Sequence, residues 1–235
     1  IATHPSERNE ILEAAINAEK NILSQKPFAE DLETAVRLAT LAEERGVKLA
    51  VNQNGRWAPH FRWMISAVHA GLLGSVGMIN FDLHFDHSWT AGTSFDEVED
   101  LILYDFGIHW FDIARCLLPG SRPLRVAAVK SYAPGQKPRP PMLASVIIEL
   151  SDSLVTLNFD GMSRSLPEDR TRICGSKAEI LSFGPSLSKQ EILFSSAEGQ
   201  AEVKLEGTWF SEGFQGSMAE LLLAIDENRA PESSA

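Results

Sequence analysis

The segment "LILYDFGIHWFDIARCLLPG", residues 101–120, combines large apolar residues with ionisable ones that could transfer a proton. Asp105, His109 and Asp112 are spaced i, i+4 and i+7, which places them on one face of a helix predicted over 101–118. A buried ionisable group is costly unless it has a partner, and two interpretations meet that condition. Either these groups form a structural network in the core, or they line a cleft in which Asp105 orients His109 as a proton acceptor. The spacing alone favours neither.

Two cations could bind a ligand from their positions in the chain. Lys26 directly follows a short predicted strand, "NILS" (21–24), and ligands of open parallel sheets bind beyond the carboxyl ends of the strands. A solvated loop lysine is nevertheless the more common outcome at such a position. Arg56, in "QNGRW" (53–57), could bind a phosphate or a carboxylate, but a lone arginine is weak evidence.

A polar strand face offers a metal hypothesis that the spacing does not support. Asp82, His84 and Asp86 alternate with apolar residues in a strand predicted over 77–87, so about 6.5–7 Å separates neighbouring members of the row. They could supply one or two ligands but not a full set, and we predict no metal site. A polar face lining a cleft or a subunit contact is the favoured interpretation. A G-x-S-x-G nucleophile elbow is also absent from the sequence.

Composition limits the classes of partner. The formal net charge of -11 argues against nucleic acid, and no run of about 18 apolar residues predicts a membrane span. No signal peptide opens the sequence. Cys116 and Cys174 lie in apolar surroundings, so we expect reduced thiols rather than a disulfide, in a cytoplasmic protein that binds neither nucleic acid nor a membrane.

These groups must be positioned by two kinds of architecture. The first part alternates helix and strand, which implies a parallel sheet; the remainder is rich in short β-runs joined by turn residues, which predicts an antiparallel meander with helices on one face. We therefore predict an α/β fold followed by an α+β fold, with a partial dinucleotide-binding domain over 1–55 and a substrate and oligomerisation domain over 56–235. Both ends look cut, so we expect the sequence to belong to a longer protein.

The order of several motifs resembles the glucose–fructose oxidoreductase / inositol dehydrogenase (Gfo/Idh/MocA) family of NAD(P)-dependent enzymes. "ATHPSERNEILEAAINAEKNILSQKP" resembles the A-T-P…helix…E-K-P segment of that family, and "NQNGRWAP" resembles its N-x-R-F-x-P turn. "DFGIHWFD" matches its D-x-G-x-H-x-x-D pattern, and "GLLGSV", "ICGSKAEI" and "NRAPESS" also fit. The similarity covers nearly the whole chain.

The resemblance implies a two-domain oxidoreductase that transfers a hydride between NAD or NADP and a sugar, a polyol or a related hydroxy compound. Lys26, Asp105 and His109 correspond to the catalytic lysine, aspartate and histidine of the family. His109 would accept the hydroxyl proton, Asp105 would hold its ring, and Lys26 would hydrogen-bond the developing alkoxide and lie against the nicotinamide ribose. Asp112 is equally consistent with a structural role. The resemblance also implies a homo-oligomer formed through the antiparallel sheet.

The same resemblance assigns residues to the cofactor and the substrate. Thr3 and His4, together with Lys26 and Arg56, would contact the dinucleotide, while Asn54 and Arg56 would approach the nicotinamide or the substrate beside the catalytic pair. Two other activities occur among such relatives and stay open: NAD-dependent glycoside hydrolysis, and dinucleotide sensing without turnover.

The sequence departs from the family pattern at several positions. Gln25 stands where glutamate is usual, His4 replaces proline, Arg8 replaces a common histidine, and Ala178 replaces a common glycine. The G-x-G-x-x-G motif that binds the pyrophosphate is absent. We therefore expect this chain alone to bind a dinucleotide poorly.

Overall fold

The computed structural model describes residues 1–3 and 5–235, apart from the side chains of residues 5 and 6. The chain divides into two compact units: Ile1–Trp57 with Phe210–Ala235, and Ala58–Trp209. The order of helices and strands confirms the predicted α/β segment followed by an α+β segment.

The first unit contains a parallel strand pair flanked by helices. Its elements are α1 (Pro5–Asn17), β1 (Ile22–Gln25), α2 (Leu32–Glu44) and β2 (Leu49–Asn52). The amino group of Ile1 donates to the Leu23 carbonyl over 2.7 Å, and the Ile1 carbonyl accepts from Gln25 N over 2.9 Å. This alternation is the parallel pattern, so the first residues of the chain run beside β1 in the same direction as β1 and β2.

The sequence signals that bound α2 act as predicted. Asp31 has an extended backbone with φ −141°, and its carboxylate accepts from Thr34 N over 2.7 Å, which caps the first turn. Gly46 follows the helix at φ 66°, the left-handed conformation that glycine adopts most readily. Between the helices and the strands lies a small apolar core, Leu12, Ile16, Ile22, Leu38, Ala42, Val47 and Leu49.

The C-terminal segment packs on the first unit, although it falls within the predicted second domain, 56–235. Helix α5 (Trp209–Asp226) approaches the 3-10 turn Asn54–Trp57 closely: a Cβ at Gly213 would lie 2.7 Å from the Asn54 carbonyl oxygen. The chain end then adds to the sheet, because Val51 N donates to the Ser233 carbonyl over 2.8 Å and Ala235 N donates to the Leu49 carbonyl over 3.2 Å. Residues 210–235 therefore belong with the first unit.

The second unit is a sheet of eight strands with helices packed against one face. Its elements are α3 (Pro59–His69), β3 (Val76–His84), α4 (Ile108–Leu117), β4 (Pro123–Ser131), β5 (Leu143–Leu150), β6 (Leu154–Asp160), β7 (Glu168–Gly175), β8 (Ala178–Ser186), β9 (Lys189–Ser196) and β10 (Gly199–Val203). The strand order is β10-β9-β8-β7-β3-β6-β5-β4.

The predicted meander is only partly correct, because the earliest strand of this unit is inserted in its middle. β4 to β6 and β7 to β10 are each antiparallel meanders, and β3 separates them, antiparallel to β7 and parallel to β6. Every second residue of β3 is apolar and buried (Ile79, Phe81, Leu83), which suits a central strand packed under helices.

The alternate residues of these strands form a second surface, which we call the open face. It carries Asn80, Asp82 and His84 from β3, all partly exposed. The opposite face packs against α3 and α4 in the main core, which includes Phe61, Met64, Ile79, Phe81, Leu83, Trp110, Ile113, Leu157, Phe159, Ile173, Ile180 and Trp209. Cys116 and Cys174 are free cysteines, as predicted. Within the described residues, no helix combines the length and the apolar character needed to cross a bilayer.

Candidate active site

The segment that carries Asp105 and His109 is not the continuous α-helix predicted over 101–118. Residues Ile102–Phe106 form a π-helical turn, closed by a 2.7 Å hydrogen bond from Gly107 N to the Ile102 carbonyl, and α4 begins only at Ile108. A π-turn accommodates an extra residue, so a spacing of four across it no longer defines one stripe of an α-helix. His109 and Asp112, which both lie in α4, keep the i, i+3 relation of helical neighbours.

Gly107 is the residue that allows this turn. A Cβ there would lie 2.9 Å from the Ile102 carbonyl oxygen and 3.1 Å from that of Leu103. The first distance is shorter than real Cβ contacts and the second is tight, so a side chain here would require the backbone to shift. The change from π to α geometry therefore falls between Asp105 and His109.

The imidazole of His109 packs roughly perpendicular to two indole rings. Its centroid lies 5.6 Å from that of Trp209 and 6.3 Å from that of Trp110, with interplanar angles of 85° and 87°. Trp209 is buried and also contacts His60 and Phe61. His109 is itself partly exposed, so an oriented imidazole remains accessible from the surface of the second unit. The sequence reasoning missed Trp209, because an aromatic residue far along the chain has no local signal of such a contact.

Two buried ionisable groups lie behind this indole pair. Burial lowers the pKa of His60 to about 3, so the ring that packs on Trp209 is neutral. Burial raises the pKa of Asp169 to about 7; the Trp110 indole opposes part of that rise, although its contact with the carboxylate lacks regular hydrogen-bond geometry. The buried groups next to the two indoles, His60 and Asp169, are therefore largely uncharged between about pH 4 and neutral pH.

An aromatic stack supports the π-turn from the other side. His87 stacks on Phe106, the neighbour of Asp105, with ring centroids 4.2 Å apart and an interplanar angle of 12°. Burial lowers the pKa of His87 to about 4, against a smaller opposing effect of Asp86. The neutral ring behaves as part of an apolar cluster, and the position of Phe106 is fixed by packing.

In the first unit, Thr3 and Lys26 lie at the carboxyl edge of the parallel strands. The buried guanidinium of Arg8 connects them: it donates to the Thr3 and Pro27 carbonyls and, over 2.8 Å, to the Gln25 carbonyl. The Lys26–Pro27 peptide bond is cis. Arg8, which stands at a departure from the family pattern, thus has a structural role.

Several polar atoms at this edge fit a bound dinucleotide. Thr3 Oγ1, Asn52 Oδ1 and Gln53 Oε1 are buried and have no hydrogen-bond partner among the described residues. Gln25 Oε1 accepts from Lys26 N and from Asn52 Nδ2, both over 3.1 Å, which fixes the amide next to these atoms. Buried polar atoms are normally satisfied, so this edge suits a ligand that offers hydroxyl or amide groups, such as a ribose or a nicotinamide. Sequence reasoning did not identify Asn52 and Gln53.

The structure places the remaining residues that the resemblance assigned to the cofactor or the substrate as follows. Asn54 is buried where α5 passes closest to the turn, and the Arg56 guanidinium donates to the Glu232 carbonyl. That bond accounts for Arg56 without a ligand. His4 lies outside the described residues.

Comparisons with known proteins identify the family. Residues 61–181, just over half of the chain, match the family profile described as GFO/IDH/MocA C-terminal domain. Residues 1–53 match the profile described as oxidoreductase family, NAD-binding Rossmann fold. The chain therefore belongs to the Gfo/Idh/MocA oxidoreductase family, as the motifs predicted, and the family's cofactor is the predicted nicotinamide dinucleotide.

Individual relatives resemble parts of the chain. An uncharacterized oxidoreductase of Schizosaccharomyces pombe is 33% identical over 119 residues, which are 48% of this chain and 32% of the relative. A D-apiose dehydrogenase of Paraburkholderia graminis is 35% identical over 117 residues, 49% of this chain and 31% of the relative. The matched segment of this chain thus spans about a third of the length of these curated relatives.

A solved structure shares the fold over the whole chain. An oxidoreductase from Agrobacterium radiobacter, crystallised with NAD+, L-tartaric acid and magnesium, superimposes with a TM-score of 0.85 at 19% sequence identity. The match covers 100% of this chain and 71% of that structure. At this identity the likeness concerns the fold alone.

Proposed function

We propose that this protein is an NAD(P)-dependent dehydrogenase that oxidises a sugar, a polyol or a related hydroxy compound. The first unit would hold the nicotinamide end of the dinucleotide and the second would bind the substrate. The single observation that carries the proposal is the arrangement at residues 105–109, where a partly exposed His109, held by two indoles, follows Asp105 across a π-turn.

The reaction requires the loss of a hydride from carbon and of a proton from the hydroxyl oxygen. A bound nicotinamide dinucleotide supplies the hydride acceptor. His109 accepts the hydroxyl proton, because a neutral imidazole is the side chain best suited to proton transfer near neutral pH. As the family resemblance implies, Asp105 would stabilise the resulting imidazolium, and Lys26 would donate a hydrogen bond to the oxygen on which negative charge develops.

The carboxyl edge of the first unit supports the cofactor assignment. Thr3 and Lys26, with the buried amides of Asn52 and Gln53, would bind the ribose and the nicotinamide carboxamide. The described residues contain no G-x-G-x-x-G loop, so no residue of this chain is assigned to the pyrophosphate.

The test is a substrate screen with protein expressed from the complete reading frame. Sugars, polyols and hydroxy acids are supplied with NAD+ or with NADP+, and the absorbance of the reduced nicotinamide is followed. The proposal predicts substrate-dependent reduction. Release of free sugar without net reduction would instead indicate NAD-dependent glycoside hydrolysis, and dinucleotide binding without turnover would indicate a sensor.

A further inference from the structure

The open face brings together a histidine and three carboxylates from three strands. His84 on β3 stands opposite Asp160 on β6 and opposite Glu168 on β7, and Asp82 lies two residues earlier on the same face. One ligand atom from each of Asp82, His84 and Glu168 lies within 4.8 Å of the other two. Sequence spacing did not reveal this group because Glu168 is contributed by a strand distant along the chain.

We propose that Asp82, His84 and Glu168 bind a divalent transition metal ion, with Zn²⁺ as its probe. His84 Nε2 lies 3.4 Å from Asp82 Oδ1. Zinc binds nitrogen and oxygen ligands at about 2.0–2.2 Å, and a tetrahedral arrangement at that distance separates neighbouring ligand atoms by about 3.4 Å. The observed spacing therefore suits one ion, with the fourth position left to water. This site is separate from the proposed dehydrogenase chemistry.

Asp160 has the position of an orienting partner. Its Oδ2 lies 3.8 Å from His84 Nδ1, on the opposite side of the ring from Asp82. Histidine ligands commonly donate their other ring N–H to a carboxylate, which fixes the ring and leaves the second nitrogen free for the metal. The strand register thus supplies three ligands together with a carboxylate that would accept the other ring N–H after a small side-chain shift.

Arg170 is the cation that competes for this site. Its Nη2 lies 2.7 Å from Glu168 Oε1, and its Nη1 lies 4.0 Å from Asp82 Oδ2. The Arg170 side chain is 46% exposed, so it can turn toward solvent when an ion binds. Three carboxylates against one guanidinium leave an excess of negative charge, which favours a divalent cation.

The test is a calorimetric titration of tag-free protein with Zn²⁺ near neutral pH. We expect one ion per chain, and Asp82→Asn, His84→Asn and Glu168→Gln should each abolish or strongly weaken its binding. Asp160→Asn should weaken binding about tenfold or more, as expected for loss of an orienting partner. Arg170→Ala should tighten it, because the competing cation is removed.

The matched control is Glu179→Gln, which removes a carboxylate that is paired with Arg172 over 3.0 Å on the neighbouring strands. It should leave Zn²⁺ binding unchanged. Absence of binding by the folded protein would overturn the proposal, as would equal weakening by Glu179→Gln and Asp82→Asn, which would indicate diffuse surface charge. Thermal unfolding of each variant verifies that the altered protein is folded.

Discussion

The ionisable residues of the candidate site divide into side chains that can reach a ligand and side chains that are buried for structural reasons. His109 is partly exposed and packs perpendicular to two indole rings, whereas His60 is buried and neutral. Lys26 follows a strand end, while Arg8, at the same edge, is engaged by backbone carbonyls. We therefore assign the proposed chemistry to His109 and Lys26, and a structural role to His60 and Arg8.

Replacing the proposed proton acceptor or the proposed cationic donor should slow hydride transfer. We expect His109→Asn and Lys26→Ala each to reduce the rate by at least about a hundredfold, because each removes a contribution to the transition state. The measurement is single-turnover formation of reduced nicotinamide. His69→Asn and Lys20→Ala, which alter a histidine and a lysine that have no assigned role, serve as controls; a wild-type rate in His109→Asn or Lys26→Ala would remove that residue from the mechanism.

Asp169 should make the stability of the protein depend on pH. Its pKa is about 7 in the folded protein, against 3.8 for an ordinary aspartate, so the folded state keeps a proton that the unfolded chain has released. The free energy of unfolding from this group is therefore highest below about pH 4 and falls as pH rises to about 7.

Asp169→Asn should remove that fall. Relative to the wild type, the variant should gain up to about 4 kcal/mol of unfolding free energy between pH 4 and pH 7, as measured by urea unfolding at several pH values. His60 and His87 have lowered pKa values, and their contribution is lost as pH falls below about 6.5. The wild type and Asp169→Asn both contain these histidines, so their contributions cancel in the difference between the two unfolding free energies. If the two proteins showed parallel curves of unfolding free energy against pH, Asp169 would ionise as an ordinary carboxyl.

At the scale of elements, alternation and helical spacing predicted most of the strands and helices, because burial on one face leaves a local pattern. Asp31 and Gly46 marked the ends of α2 for similarly local reasons. The π-turn was not predictable, because a segment that is apolar on nearly all sides does not show whether its turn is α or π. Nor was the central position of β3, which is set by pairing with strands formed much later in the chain.

Gly107 gives the sharpest test at this scale. Gly107→Ala would place a Cβ against two carbonyl oxygens of the π-turn, and we expect it to reduce the free energy of unfolding by about 1–3 kcal/mol. Gly77→Ala is the control, because a Cβ there meets nothing within 4 Å. Chemical unfolding of both variants measures the difference. Equal stability of the two variants would contradict the tight turn described here.

At the scale of the whole molecule, the sequence predicted the two-part architecture but not the return of residues 210–235 to the first unit. Residues 210–235 pack on the first unit through hydrogen bonds between the strand β2 and the chain end, and no local sequence pattern predicts those bonds. For the candidate site, the rule that ligands bind at strand ends drew attention to Lys26, and the family resemblance drew attention to Thr3. Asn52 and Gln53 could not be found in the same way, because an amide becomes an unsatisfied buried group only through tertiary packing.

The homo-oligomer that the family resemblance implies stays a prediction, and the open face is its expected contact. Ile147 on β5 is 50% exposed on this face, opposite Ala127 in the register. Ile147→Lys should shift the protein toward monomers in size-exclusion chromatography with light scattering, because a charge would be desolvated at the contact. Val126→Lys alters an exposed valine that points to the other side of the sheet and should not change the mass. An unchanged mass in Ile147→Lys would exclude this part of the face.

The most direct test of the dehydrogenase proposal follows the hydrogen atom itself. A substrate found in the screen is prepared with deuterium on the carbinol carbon and incubated with the complete protein and the oxidised dinucleotide. We predict that deuterium appears in the reduced nicotinamide, and that His109→Asn nearly abolishes the transfer. Deuterium that remains in the sugar product or exchanges into water, with none in the dinucleotide, would contradict direct hydride transfer.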